Sequence, residues 1–121
     1  MFRQYMHVER FGTDEVEGIE LGKCYVFPKL DGTNSSLWCH NYAQMDFRGG
    51  SRTRELTLEN DNQGFLNAII GRVGIDKFFS KYSSLRLYGE WLVPHTLKTY
   101  REDAWRKFWI FDVYNDETHQ Y

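Results

Sequence analysis

The chain has 121 residues and a formal net charge of −2; 41% of the residues are hydrophobic, 26% charged and 17% aromatic. This suits one globular domain with one core, with a high share of rings in the core or on a binding face, and it excludes a binder that depends on overall positive charge. No run of 18 apolar residues is present to span a bilayer, the Met1-Phe2-Arg3-Gln4 start lacks the apolar stretch of a signal peptide, and Cys24 and Cys39 fit neither a CxxC metal pair nor a disulfide framework, so reduced thiols in the cytoplasm are expected.

In chain order, residues 1–22 alternate weakly and carry Gly12, Gly18 and Gly22; they read as an irregular lead-in with a short strand near 5–8. Residues 23–28 are strand formers. Their alternation puts Tyr25, Phe27 and Lys29 on one face, with Val26 and Pro28 on the other. Pro28 to Asn34 form a turn, followed by a strand over 35–42. There Trp38, His40 and Tyr42 share one face and Leu37 and Cys39 the opposite one. Met45 to Phe47 read as its hairpin partner, and Gly49-Gly50 as a break. A helix is predicted near 62–73 from the spacing of Phe65, Leu66, Ile69, Ile70 and Val73. Asp61 or Asn62 would cap it, and Gly71 and Gly74 would end it. A second helix, 76–82, carries Phe78, Phe79 and Tyr82. Residues 85–93 return to a strand stopped by Pro94, with Leu85, Leu87, Gly89, Trp91 and Val93 on one face and Arg86, Tyr88, Glu90 and Leu92 on the other. Residues 95–106 are polar and loop-like, and Phe108 to Tyr114 make a last strand. Strands, helices and strands again predict an α+β domain with a largely antiparallel sheet and packed helices.

The turn Pro28-Lys29-Leu30-Asp31-Gly32-Thr33-Asn34 carries the clearest chemistry. Asp-Gly supplies a tight turn, because Gly accepts backbone angles that other residues resist. The turn presents one amine at its edge. A lysine amine is a strong nucleophile once neutral, and nearby cations or partial burial favour that form. Arg52 and Arg54 are the candidate cations.

Four motifs occur in order: Lys29-x-Asp31-Gly32-x-Asn34, Ser51-Arg52-Thr53, Tyr88-Gly89-Glu90-Trp91 and Phe111-Asp112-Val113. The set resembles motifs I, Ia, III and IIIa of the covalent nucleotidyltransferases, the superfamily of ATP-dependent ligases and mRNA capping enzymes. It is most similar to RNA ligases of the RNA ligase 2 type, which carry Asn where Asn34 stands; DNA ligases and capping enzymes usually carry Arg there. The Glu-Trp-Leu-Val-Pro-His run at 90–95 also resembles the RNA ligase group. The resemblance implies part of the ATP-grasp-like nucleotidyltransferase fold of those enzymes. It implies Lys29 as the nucleophile that takes AMP from ATP, with Mg²⁺ or Mn²⁺ on the phosphates. It also implies Arg52 and Glu90 on the ribose, Phe111 against the adenine and Asn34 in the RNA-directed steps, while Asp31 and Gly32 shape the turn. The partners would be ATP and nicked or broken RNA ends, with no membrane, in the cytoplasm (a host's, if phage-encoded).

Some readings stay open at this level. Phe111 reads equally as a core residue, sharing a strand face with Trp109 and Val113, and Glu90 as a solvated strand glutamate. Arg54 reads as an exposed arginine or a phosphate contact. Lys98, Arg101, Arg106 and Lys107, mixed with Glu102 and Asp103, read as a solvated loop or an RNA-phosphate patch. His40 reads as a packed or surface histidine; His7, His95 and His119 are too scattered for a zinc site, His95 is a candidate neighbour of the pocket because it follows Glu90 closely, and no metal ligand is assigned. The superfamily's later motifs, a Glu strand (IV) and a Lys-x-Lys strand (V), have no match before Tyr121. The expectation is therefore an N-terminal portion of an adenylyltransferase domain, with low activity in isolation. The rival readings are a DNA ligase or capping-type enzyme, and a non-catalytic remnant that binds nucleotide or RNA.

Overall fold

The computed structural model describes all 121 residues. Four strands, β1 (Thr33–Asn41), β2 (Asp46–Gly50), β3 (Leu85–Trp91) and β4 (Phe108–Asn115), form one antiparallel sheet in the order β2-β1-β3-β4. Between β2 and β3 lie two helices, α1 (Phe65–Ile69) and α2 (Val73–Lys81). The class is α+β, as the order of the patterns predicts.

The alternation of each strand sorts its side chains onto two faces. On the inner face Leu37 pairs with Leu87, and Trp91 and Val93 extend the same surface toward Phe65, Leu66 and Ile69 of α1 and Phe79 of α2. The rings explain the aromatic composition. Phe47 stacks on Phe79 with centroids 5.5 Å apart, and Phe65 meets Trp91 at 5.7 Å and Phe108 at 4.9 Å edge-to-face. Each such side chain, fully buried, contributes roughly 1.5–3 kcal/mol of transfer free energy.

The helical segment departs from its predicted bounds. The 62–73 period spans two helices, because Arg72 is extended (ψ 133) and interrupts the helical backbone. Val73 therefore opens α2 instead of closing α1, and Gly74 lies inside α2. Asp61 does act as a cap. Its carboxylate accepts the N–H groups of Asn62, Leu66 and Asn67 at 2.7, 2.9 and 2.9 Å. Burial pushes its pKa up, but these donors outweigh that and hold it below the usual carboxylate range.

Three strand expectations also change. No strand forms at 5–8, and none forms at 23–28, where Tyr25, Val26 and Phe27 face solvent. A β-former makes a strand only against neighbours, and no strand of the sheet pairs with this segment. Gly49 and Gly50 do not break the hairpin; they belong to β2. A Cβ on Gly49 would meet Leu66 at 3.0 Å, and one on Gly50 would meet the Phe2 ring and Ser36 Oγ at 2.7 Å. Both glycines are there for close packing.

The outer face carries Asn34, Ser36 and Trp38 of β1, Arg86, Tyr88 and Glu90 of β3, and Trp109, Asp112 and Tyr114 of β4. The N-terminal segment lies across most of it. Phe2 packs on Trp38, Arg3 sits 4.0 Å over the Tyr114 ring, and Tyr88 Oη donates to Arg3 O at 2.8 Å. Tyr5 and Tyr121 complete this layer against Tyr88. Burial under it pushes the Tyr88 hydroxyl up to about 12. Arg86, beneath, is buried with its Nε on Asp116 at 2.7 Å and its guanidinium over Trp38.

Candidate functional site

At the opposite end of the outer face one row is left uncovered. Asn34 pairs with Glu90, and Glu90 with Trp109. Adjacent strands are about 4.8 Å apart, so the row is about 10 Å wide. Residues 28–32 lead directly into this row; Thr33 and Asn34, expected in the turn, already belong to β1 because they pair with Trp91 and Glu90.

Asp31 and Gly32 do more than shape a turn. The Asp31 carboxylate accepts Leu97 N–H at 2.6 Å and meets His95 Nδ1 at 3.1 Å, and the Asp31 N–H donates to Tyr100 Oη at 2.9 Å. The Leu97 N–H, with help from His95, holds the Asp31 carboxyl below its usual range. The 95–106 segment is thus a loop, as predicted, but one fastened to the turn beside Lys29. Gly32 has no left-handed φ. Its requirement is space, since a Cβ there would stand 2.3 Å from Trp91 O.

Ser51 to Arg54 form the neighbouring turn. Ser51 Oγ accepts the N–H groups of Thr53 and Arg54 at 3.4 and 3.3 Å. Arg54 is neither a free surface arginine nor a phosphate reader in this arrangement, because its guanidinium donates to Asn60 O at 2.8 Å and Asp61 O at 3.0 Å. Arg52 is exposed. Neither Arg52 nor Lys29 forms an ion pair within the chain.

Glu90 joins the two turns electrostatically. Burial pushes its pKa up, while the Gly32 N–H and the charges of Arg52 and Lys29 pull against that shift, and Asp31 reinforces it. The structure therefore brings Lys29, Asp31, Gly32, Arg52 and Glu90 together, with Asn34 beside Glu90 in the sheet. Glu90 is not a solvated strand glutamate. The strand order gives this site a polarity. In chain order Lys29 precedes β1 and Arg52 follows β2, whereas the exposed rings of Trp109 and Phe111 stand on β4, across β3.

Phe111 shares the outer face with Trp109, as alternation predicts, but it is not a core residue, and Val113 leaves that face. A register shift next to Gly89 leaves Phe111 as the extra residue of β4, between Ile110 paired with Gly89 and Asp112 paired with Tyr88. Val113 consequently packs on the inner core. Phe111 is 52% exposed on the outer side, where its ring meets Tyr5 at 5.2 Å edge-to-face. Tyr5 Oη donates to Asp112 Oδ2 at 2.9 Å, and burial, then Asp112, push the Tyr5 hydroxyl well above its usual range, so it stays a donor.

A family model described as RNA ligase matches residues 22–121. The chain belongs to the RNA ligase family. Among curated proteins none matches it. The matched span holds every residue of the four motifs, and it leaves out Phe2, Arg3 and Tyr5, which roof the outer face of this RNA ligase family member. Sequence reading missed Tyr5 because residues 1–8 carry no periodicity. It set His95 near the pocket from its closeness to Glu90, but it missed the contact with Asp31 and the anchors Leu97 and Tyr100, because Asp31 lies more than 60 residues away in sequence. The basic residues at 98–107 do not form one patch: Arg101 pairs with Asp103, and Arg106 lies near the Trp91 ring.

Proposed function

We propose that this chain is the N-terminal portion of the adenylyltransferase domain of an ATP-dependent RNA ligase of the RNA ligase 2 type, with an ATP-grasp-like fold. The observation that carries the reading is the composition of the uncovered row: a half-buried carboxylate, Glu90, under the influence of the unpaired cations Lys29 and Arg52 and flanked on β4 by exposed rings. Triphosphate, ribose and base have the same order of charge, hydroxyl and apolar surface.

Lys29, as the neutral amine, attacks the α-phosphorus of ATP. The N–P bond forms, the P–O bond to the β-phosphate breaks, pyrophosphate leaves and the amine gives up a proton, leaving lysyl-AMP. Arg52 donates to the ribose or the phosphates, Glu90 accepts a ribose hydroxyl, and Phe111 packs on the adenine. AMP then passes to an RNA 5′-phosphate, which the RNA 3′-hydroxyl attacks to release AMP. Asn34 serves these RNA-directed steps. No group of three or more His, Cys, Asp or Glu side chains is arranged to hold a metal ion. Asp31 is engaged by Leu97 and His95. These residues do not assemble a cation site on their own, and the roles given to Lys29, Arg52 and Glu90 rest on the side chains alone.

The test is intact-mass analysis of the full-length protein after incubation with ATP or with GTP. One added AMP, absent in Lys29→Ala and in Lys29→Arg, is expected, since a guanidinium stays protonated. A GMP adduct would indicate a capping-type enzyme. An undiminished adduct on Lys29→Ala would overturn the assignment.

A further inference from the structure

Trp109 belongs to none of the four motifs, yet it completes the uncovered row beside Glu90. Trp38 and Trp91 are buried and Trp105 is half-buried, whereas Trp109 is 42% exposed. Its ring is nonetheless held in place. The indole Nε1 donates to Ala104 O at 3.1 Å, which ties the edge of the ring to the loop before β4. A fixed ring with exposed surface is preorganised for a flat apolar partner, because little freedom remains to be lost on contact.

We infer that Trp109 is a nucleotide-contacting residue: its indole packs on the purine base of the bound nucleotide and forms an aromatic corner with Phe111. The inference rests on the proposed nucleotide site and adds a specificity-determining residue to it. The argument is one of direction. A ribose held at Glu90 has its phosphates drawn toward the cations Lys29 and Arg52, which the chain delivers just before β1 and just after β2. The base must then project toward β4. There the nearest side chain in the row is Trp109, one strand spacing away. Phe111 lies beyond it at the register shift, its edge braced by Tyr5. Farther along the face, the docked N-terminal residues leave no room for a base. The corner therefore has its depth set by Tyr5 and its width by Trp109. It suits a purine better than a pyrimidine, because a fused ring can touch both side chains.

The experiment combines fluorescence and kinetics on the full-length protein. Titration with ATP should quench tryptophan emission. The quench should vanish in Trp109→Phe and persist in Trp105→Phe. Trp109→Ala should raise the KM for ATP in self-adenylylation by about 10-fold, the scale of losing one aromatic contact to a base, with kcat within about 2-fold. Trp109→Phe should keep most of the affinity, and CTP should compete far more weakly than ATP in wild type. Quenching that persists in Trp109→Phe, or a wild-type KM in Trp109→Ala, would overturn the inference. Should Trp109→Ala fail to fold, the Trp109→Phe and Trp105→Phe titrations decide alone. A lysyl-AMP adduct with an unaltered KM in Trp109→Ala removes only the role of Trp109. Trp109-dependent quenching without any adduct removes only the role of Lys29.

Discussion

Replacing Gly32 with alanine tests the structural basis of the Lys29 turn. An alanine Cβ would lie 2.3 Å from Trp91 O and 3.0 Å from Leu92 Cα, whereas ordinary contact begins near 3.4 Å, so one backbone must retreat by about 1 Å. Neither is a flexible side-chain end. Trp91 is fully buried, and its indole donates to Gln63 O at 3.0 Å, so the end of β3 resists movement. The turn must yield instead, and Lys29 and the Gly32 N–H move with it. Overpacking of this kind costs roughly 1–3 kcal/mol, which is about 4–12 °C in Tm for a domain of this size. A 1 Å displacement of a reacting group can cost about 100-fold in rate. The expected result is a protein that still folds, with a lowered melting temperature and self-adenylylation slowed by about that factor at saturating ATP. Thermal unfolding and single-turnover adduct formation, measured side by side, provide the check. Wild-type values in both assays would refute the reasoning, because the close approach would then constrain nothing. A lowered Tm with an unchanged rate would show that β3 moved and the turn did not.

Asn34→Ala is expected to form enzyme-AMP at close to the wild-type rate and to fail in sealing a nicked RNA; equal loss of both reactions would put Asn34 in the nucleotide pocket instead. Glu90→Gln is expected to melt at a higher temperature than wild type near pH 7 while binding ATP at least about 10-fold more weakly. The sign follows from burial. The folded-state pKa of Glu90 is raised, so its protonated form is favoured in the folded protein below the usual carboxylate range, and that contribution is lost as pH rises through the raised value. The Tm advantage of the Gln variant should therefore shrink on acidification, as wild-type Glu90 takes up its proton; an advantage that grows on acidification would contradict the burial argument.

Local chemistry made much of this protein legible in its sequence. Strand alternation set Leu37 opposite Trp38 in one strand and Leu87, Trp91 and Val93 on one face of another, and these four form part of the core. The Lys-x-Asp-Gly, Arg52 and Glu90 motifs, far apart in the chain, meet in the structure. These features depend on residue type and short spacing, which a sequence displays directly. Tertiary structure decided what depends on neighbours. Residues 23–28 have strand composition but no strand to bond with. The period at 62–73 is continuous in sequence yet broken in space by the turn at Arg72. Val113 turns inward, away from the face of Trp109 and Phe111, because one extra residue in β4 shifts the register, a change that alternation cannot foresee. The wall made by Tyr5 and the tether from Asp31 to Leu97 and Tyr100 join residues 60 or more positions apart. Only the assembled sheet brings such groups within hydrogen-bonding or ring-packing distance, and no local pattern encodes that distance.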